Sequence, residues 1–343
     1  MSGFLQWIGI GLVCLTIEYG ICTEIDGVLY ESLRFMDNTD AWVPCEYTLN
    51  TTGLPDNVTD DTLVRIYTQK IDDTYVDLVA NEKFHFNETG LMINNIQIDD
   101  VTKYACEVKL GNETLKKIVT FVKVVLAKCS FNEDFCDFGN IGSAKWLRRS
   151  TPTPTNNTGP DENALKLHVG LDGMIDPRGS FIYLEADNVS SSQELILRTP
   201  NLTLEARCME IHIDYSYFMY GATMGSLALY GVMDNGTKYE IKKEIGDHPA
   251  NWHSFGKNFL PGSAPMAFEF IAKRGPGVES DVVLDDVSIT VIDELKSNRE
   301  CDLMKEEMTT TDPNGNNTGG ASIPAIFSIT LSLIATIAIT LNW

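Results

Sequence analysis

Six cysteines punctuate the interior of this chain, at Cys45, Cys106, Cys129, Cys136, Cys208 and Cys301; two more, Cys14 and Cys22, lie in an apolar stretch at its start. An even set of interior cysteines in a secreted chain reads as a disulfide framework, which pins distant strands together and so limits the folds open to the chain. Spacing alone leaves fifteen pairings open. If all six pair, no thiolate remains for nucleophilic work.

The two ends point to the secretory route. Residues 1–22 read as a signal peptide: Phe4 to Thr16 is mostly apolar, and Gly20 and Cys22 are small residues at the −3 and −1 positions of a cleavage site. The alternative is an uncleaved anchor, for which the apolar run is short of the ~20 residues a span needs. Ile323 to Trp343 is apolar and carries no charge. Residues 302–322 form a polar stalk whose Asn314 to Ser322 segment supplies the small residues of a glycosylphosphatidylinositol (GPI) attachment region. Attachment is expected at Asn317, with Asn314, Gly319 and Gly320 as alternatives, and the tail 323–343 would then be removed. The alternative is a tail-anchored helix. The expected location is the extracellular face of the plasma membrane, held there by the lipid.

Nine Asn-X-Ser/Thr sequons agree with that route: Asn50, Asn57, Asn87, Asn112, Asn156, Asn188, Asn201, Asn235 and Asn316. Acidic residues outnumber basic ones 48 to 26, for a net charge of −22. Such a chain will not hold nucleic acid or anionic lipid by charge.

Short β-rich runs separated by turn residues fill the region between the signals and predict an all-β protein of two domains, at 24–126 and 128–301. Gly111-Asn112 and Asp234-Asn235-Gly236 each sit between two such runs and predict hairpins. In the first domain, Leu91, Ile93 and Ile96 precede Asp100-x-x-x-Tyr104-x-Cys106. This resembles the strand E to strand F corner of an immunoglobulin domain, where the Tyr bonds back to the backbone and a disulfide joins the sheets. The resemblance implies a Cys45–Cys106 bridge, worth about 4 kcal/mol through loop closure. The sequence departs from the family at Thr102 and in lacking a Trp on the third strand expected after Cys45; Ile66 is expected to fill that core position.

The second domain carries Cys129-Ser-Phe131, Cys136, Phe138, Trp146-Leu-Arg148, Gly179-x-Phe181-x-Tyr183, Thr199-Pro200 and Cys208. Then follow Tyr217-Phe-Met-Tyr220-Gly221, Gly225, Leu227, Leu229, Trp252, Phe268-Glu-Phe270, Arg274-Gly275, Leu284-Asp285-Asp286-Val287 and Cys301. This ordered set resembles the MAM domain, named for meprin, the A5 antigen and receptor tyrosine phosphatase mu. The resemblance implies a jelly-roll-like β-sandwich with bridges Cys129–Cys136 and Cys208–Cys301. Some members bind a cation near the first Phe. Asn132 stands here where they often carry an acid. Glu133, Asp134, Asp161, Asp285 and Asp286 could offer oxygen ligands to a structural Ca²⁺, with Glu133, Asp161 and Asp285 the favoured set. The competing reading is ordinary surface carboxylates and a buried Asp capping a turn.

No His-Glu-x-x-His, Gly-x-Ser-x-Gly, P-loop or dinucleotide fingerprint occurs, and the five His show no convincing ligand spacing. The expected class is therefore non-enzymatic. An immunoglobulin-like domain, a MAM domain and a GPI signal together resemble the MAM-domain GPI-anchored adhesion proteins. That resemblance implies recognition of cell-surface or matrix proteins, homophilic or heterophilic, without intrinsic signalling. The alternative is a glycosylated coat or shed decoy with no adhesive partner. Within the MAM part, Tyr217 to Tyr220 is a candidate contact stretch, or else core.

Overall fold

The computed structural model describes residues 13–16, 20–25, 28–45, 63–71, 74–170, 179–191, 193–202, 209–259 and 265–294. Asn50, Asn57, Asn316, Asn317, Cys208, Cys301, the stalk, the apolar tail and most of residues 1–22 lie outside them, so the Cys208–Cys301 bridge is not seen.

The first half contributes β1 (Val13–Thr16), β2 (Gly20–Ile25), β3 (Val28–Met36), β4 (Ala41–Pro44), β5 (Val64–Ile71), β6 (Thr74–Asp77), β7 (Phe84–Phe86), β8 (Gly90–Ile93), β9 (Lys103–Leu110) and β10 (Glu113–Cys129). A three-stranded sheet, β4-β8-β7, faces a larger one in which β3, β10, β9, β5 and β6 are neighbours. Alternation places Ala41, Val43, Leu91 and Ile93 in the space between them, opposite Tyr104, Cys106 and Val108. Cys45 and Cys106 are bonded across the gap, and Cys129 is bonded to Cys136. The core position expected for Ile66 belongs instead to Tyr67, 5% exposed. Tyr67 pairs with Cys106 in register and so shares its inward face, whereas Ile66 pairs with Glu107 on the outer one. The Tyr67 hydroxyl donates to the carbonyl of Asn87 at 2.7 Å.

β1 and β2 fall within and across the expected signal. Cleavage after Cys22 would remove β1 and shorten β2. It would leave β3 in place, because β10 holds β3 in parallel register from Val28 to Met36.

The second half contributes β11 (Gly139–Ile141), β12 (Leu147–Arg149), α1 (Glu162–Lys166), β13 (Phe181–Leu184), β14 (Glu194–Arg198), β15 (Met209–Phe218), β16 (Ser226–Val232), β17 (Lys238–Ile245), β18 (His253–Phe259), β19 (Ala267–Lys273) and β20 (Val282–Glu294). One sheet runs β11-β14-β19-β16-β17; the facing one contains β12, β13, β20, β15 and β18. Their shared core holds Trp146, Phe131, Tyr215, Phe268 and Phe270, with Tyr215 edge-on to Phe270 at 5.2 Å. The signature glycine Gly225 is explained by backbone proximity: a Cβ there would lie 1.9 Å from the carbonyl oxygen of Lys273.

β10 joins the halves. Its Glu113–Phe121 stretch pairs with β9 and its Val124–Cys129 stretch with β20, while β3 occupies its other edge. Ala127 and Lys128, at the junction of the two expected domains, are paired with Ile289 and Ser288. Met209 and Val291, from β15 and β20, pack into the same core cluster as Val122 and Val124. On the outer face, Arg34 of β3 lies 3.6 Å from Asp214 of β15, which also holds the Nε2 of His212 at 2.6 Å. That carboxylate, more than any other neighbour, raises the His212 pKa above its ordinary value.

Candidate functional site

The most unusual chemistry among the described residues lies on the outer face of the sheet containing β13, β20 and β15. β20 is apolar from Val282 to Leu284 and then places Asp285 and Asp286 side by side. A register shift against β15 between Asp214 and Ser216 leaves one extra residue in β20. Asp286 takes the left-handed conformation there, with φ 52°. The bulge breaks the strict alternation of a strand, so consecutive carboxylates reach the same neighbourhood. Both are buried, at 2% and 4% exposure.

The third member is His168, which follows α1. Asp161 caps that helix by accepting from the Ala164 amide at 2.7 Å. Ala164 and Leu165 pack on a small outer cluster of Phe181, Tyr183, Phe218 and Val283, with Trp252 alongside. The chain then delivers His168 with its Nδ1 3.6 Å from Asp285 and its Nε2 3.1 Å from Asp286. The Trp252 indole stacks on the imidazole at 4.0 Å and stands edge-on to Phe181 and Phe218. Ligand atoms of His168, Asp285 and Asp286 all lie within 4.8 Å of one another.

Among the described residues the structure does not bring Glu133, Asp161 and Asp285 together as one group. Glu133 is exposed on the small disulfide loop, and Asp161 is committed to capping α1. Of that set only Asp285 joins the cluster, with Asp286, and the residue that completes it is His168. Asp134 accepts from the Cys136 amide at 2.6 Å. Near Asn132 a side-chain cation is already present: the Arg148 guanidinium donates to the carbonyls of Phe131 (3.3 Å) and Asn132 (2.7 Å) and to Ser180 Oγ (3.1 Å). The residues present there do not fit a Ca²⁺ cage. His168 escaped the sequence reading because it stands alone in a loop, with neither carboxylate near it in the chain.

A second buried acid lies apart from that cluster. Asp281 is fully buried, and this burial pushes its pKa up to about 7, with Glu185 and Asp187 adding to the shift. Its Oδ1 accepts from the Ala186 amide at 2.9 Å.

Of the candidate contact stretch, Tyr217, Phe218 and Met219 are buried and only Tyr220 is exposed. Larger exposed apolar groups occur on the first sandwich: Ile71, Tyr75, Val76 and Val79, around the β5–β6 hairpin. Among the described residues β6 pairs only with β5, and it exposes every residue. Asn87, Asn112, Asn156, Asn188, Asn201 and Asn235 are all exposed.

Comparison with known proteins places the second half. The family model for the MAM domain, meprin/A5/mu, matches residues 129–302. MAM domain-containing glycosylphosphatidylinositol anchor protein 2 of rat and of human is 27% identical over 179 residues, covering 47% of this chain. The match spans 17% of those relatives' own length. The adhesin domain of Lys-gingipain from Porphyromonas gingivalis superposes with a TM-score of 0.33 at 13% identity, over 48% of this chain and 96% of that one. The family match covers just over half of the sequence, and the chain belongs to the MAM domain family.

Proposed function

We propose that the protein is an extracellular recognition protein, tethered by GPI, that binds other surface or matrix proteins through an immunoglobulin-like first domain and a MAM second domain. The MAM match over residues 129–302 carries this reading. Relatives named as GPI-anchored proteins support the tether. The first sandwich supports the immunoglobulin-like assignment through its inter-sheet disulfide and its Tyr104 corner. We read the chain as non-enzymatic, in keeping with its MAM family and its adhesion-type relatives.

The contact surface we favour is the β5–β6 end of the first sandwich. β5 begins at Val64, paired with Lys109 near the Asn112 hairpin, and ends at Ile71 beside β6. The exposed Tyr75 and Val76 therefore lie about 20 Å from the end where Asn112 would carry glycan. A multimerised ectodomain should bind a specific member of a cell-surface protein panel, and Val76→Asp should weaken that binding at least tenfold. Uniform absence of binding would favour the coat or decoy reading.

A further inference from the structure

We infer that His168, Asp285 and Asp286 form a binding site for one borderline divalent cation of the Zn²⁺ class. Charge is the first argument. Two carboxylates, at 2% and 4% exposure, are brought together against one imidazole. A divalent ion bound to a neutral imidazole and both carboxylates balances the site, and buried charges persist where they are paired or coordinate a metal.

The second argument is unmet valence. His168 Nε2 and Asp286 Oδ2 are buried without a hydrogen-bond partner, although only 3.1 Å separates them. They lie at contact distance but off hydrogen-bond alignment. Of the two ring nitrogens, Nε2 is the one that shares its side of the ring with Asp286, and so the one placed to share an ion with it. Zinc bonds of about 2.0–2.2 Å to nitrogen and oxygen put tetrahedral ligand atoms roughly 3.4 Å apart, close to the 3.1 Å between His168 Nε2 and Asp286 Oδ2.

The donor set fixes the ion class. Ca²⁺ seeks about six to eight oxygens, whereas one imidazole and two carboxylates suit zinc and its neighbours. Trp252, stacked on His168 and braced by Phe181 and Phe218, screens the site from water and fixes the ring. The ion would clamp the loop after α1 onto β20, a structural role.

The test uses the full chain, purified in mild detergent, stripped with chelator and titrated with Zn²⁺. One equivalent should remain after gel filtration, with a rise in Tm, and Co²⁺ should give visible bands of a mixed nitrogen–oxygen site. His168→Gln and Asp286→Asn should each lower affinity at least tenfold, while His253→Gln should leave it unchanged. Near-UV circular dichroism identifies any variant that fails to fold, and the other then carries the test. Failure of the wild type to retain a stoichiometric ion would overturn the inference. Retention unaffected by both substitutions would overturn it equally.

Discussion

The hydroxyl of Tyr104 donates a hydrogen bond of 3.2 Å to the backbone carbonyl of Asp100, four residues earlier in the chain. Asp100 in turn accepts from the Gln97 amide at 2.8 Å and pairs with Lys83 Nζ at 2.6 Å. One buried corner thus fixes the entry into β9 and sets Cys106 opposite Cys45. Tyr104→Phe keeps the packing and removes the bond. It should cost about 1 kcal/mol, read as a lower denaturant midpoint with an unchanged slope.

We expect the strand shared by the two sandwiches to hold them at a fixed angle. Small-angle scattering should give a narrow distribution of interdomain distances, and inserting Gly-Gly-Ser after Leu126 should broaden it. That insertion breaks the Ala127–Ile289 register without touching either disulfide. A wild-type distribution as broad as the variant's would contradict the shared strand.

Asp281 makes stability depend on pH. Its folded pKa, about 7, lies above the ordinary 3.8. Its contribution is therefore complete below the unfolded value and is lost as pH rises through the folded one. His212 acts in the same direction, since its folded pKa is also raised. The protein should melt higher at pH 5 than at pH 8. Asp281→Asn retains the acceptor for Ala186 and should narrow that difference by about 1–3 kcal/mol, measured as Tm across the range.

Glycans are expected at the Asn112 end and absent from the β5–β6 hairpin. Replacing Asn112 with Gln should leave partner affinity within about twofold, since no binding energy is assigned to that end. A binding footprint centred there, with the sugars confirmed in place, would contradict the assignment.

Much of this architecture is legible in the sequence because it is written locally. The Asp100-x-x-x-Tyr104-x-Cys106 spacing marks a corner, Gly111 with φ 58° marks a hairpin, and the MAM signature orders the second half. Two features were not legible for a common reason. The inward face of β5 is decided by register against β9, so Tyr67 and not Ile66 is core. The His168 cluster depends on a bulge that only strand pairing reveals. Apolar pattern likewise cannot say that Tyr217 faces the core while Tyr220 stays in water.

The most direct test of the recognition claim is adhesion itself. Non-adherent cells displaying the full chain should bind beads coated with the partner found in the panel. Phosphatidylinositol-specific phospholipase C should release the protein and abolish the binding, and Val76→Asp should weaken it without lowering surface display. Cells that display the protein yet bind no partner-coated bead, or bind the Val76→Asp chain equally well through a protein that resists the phospholipase, would contradict the account.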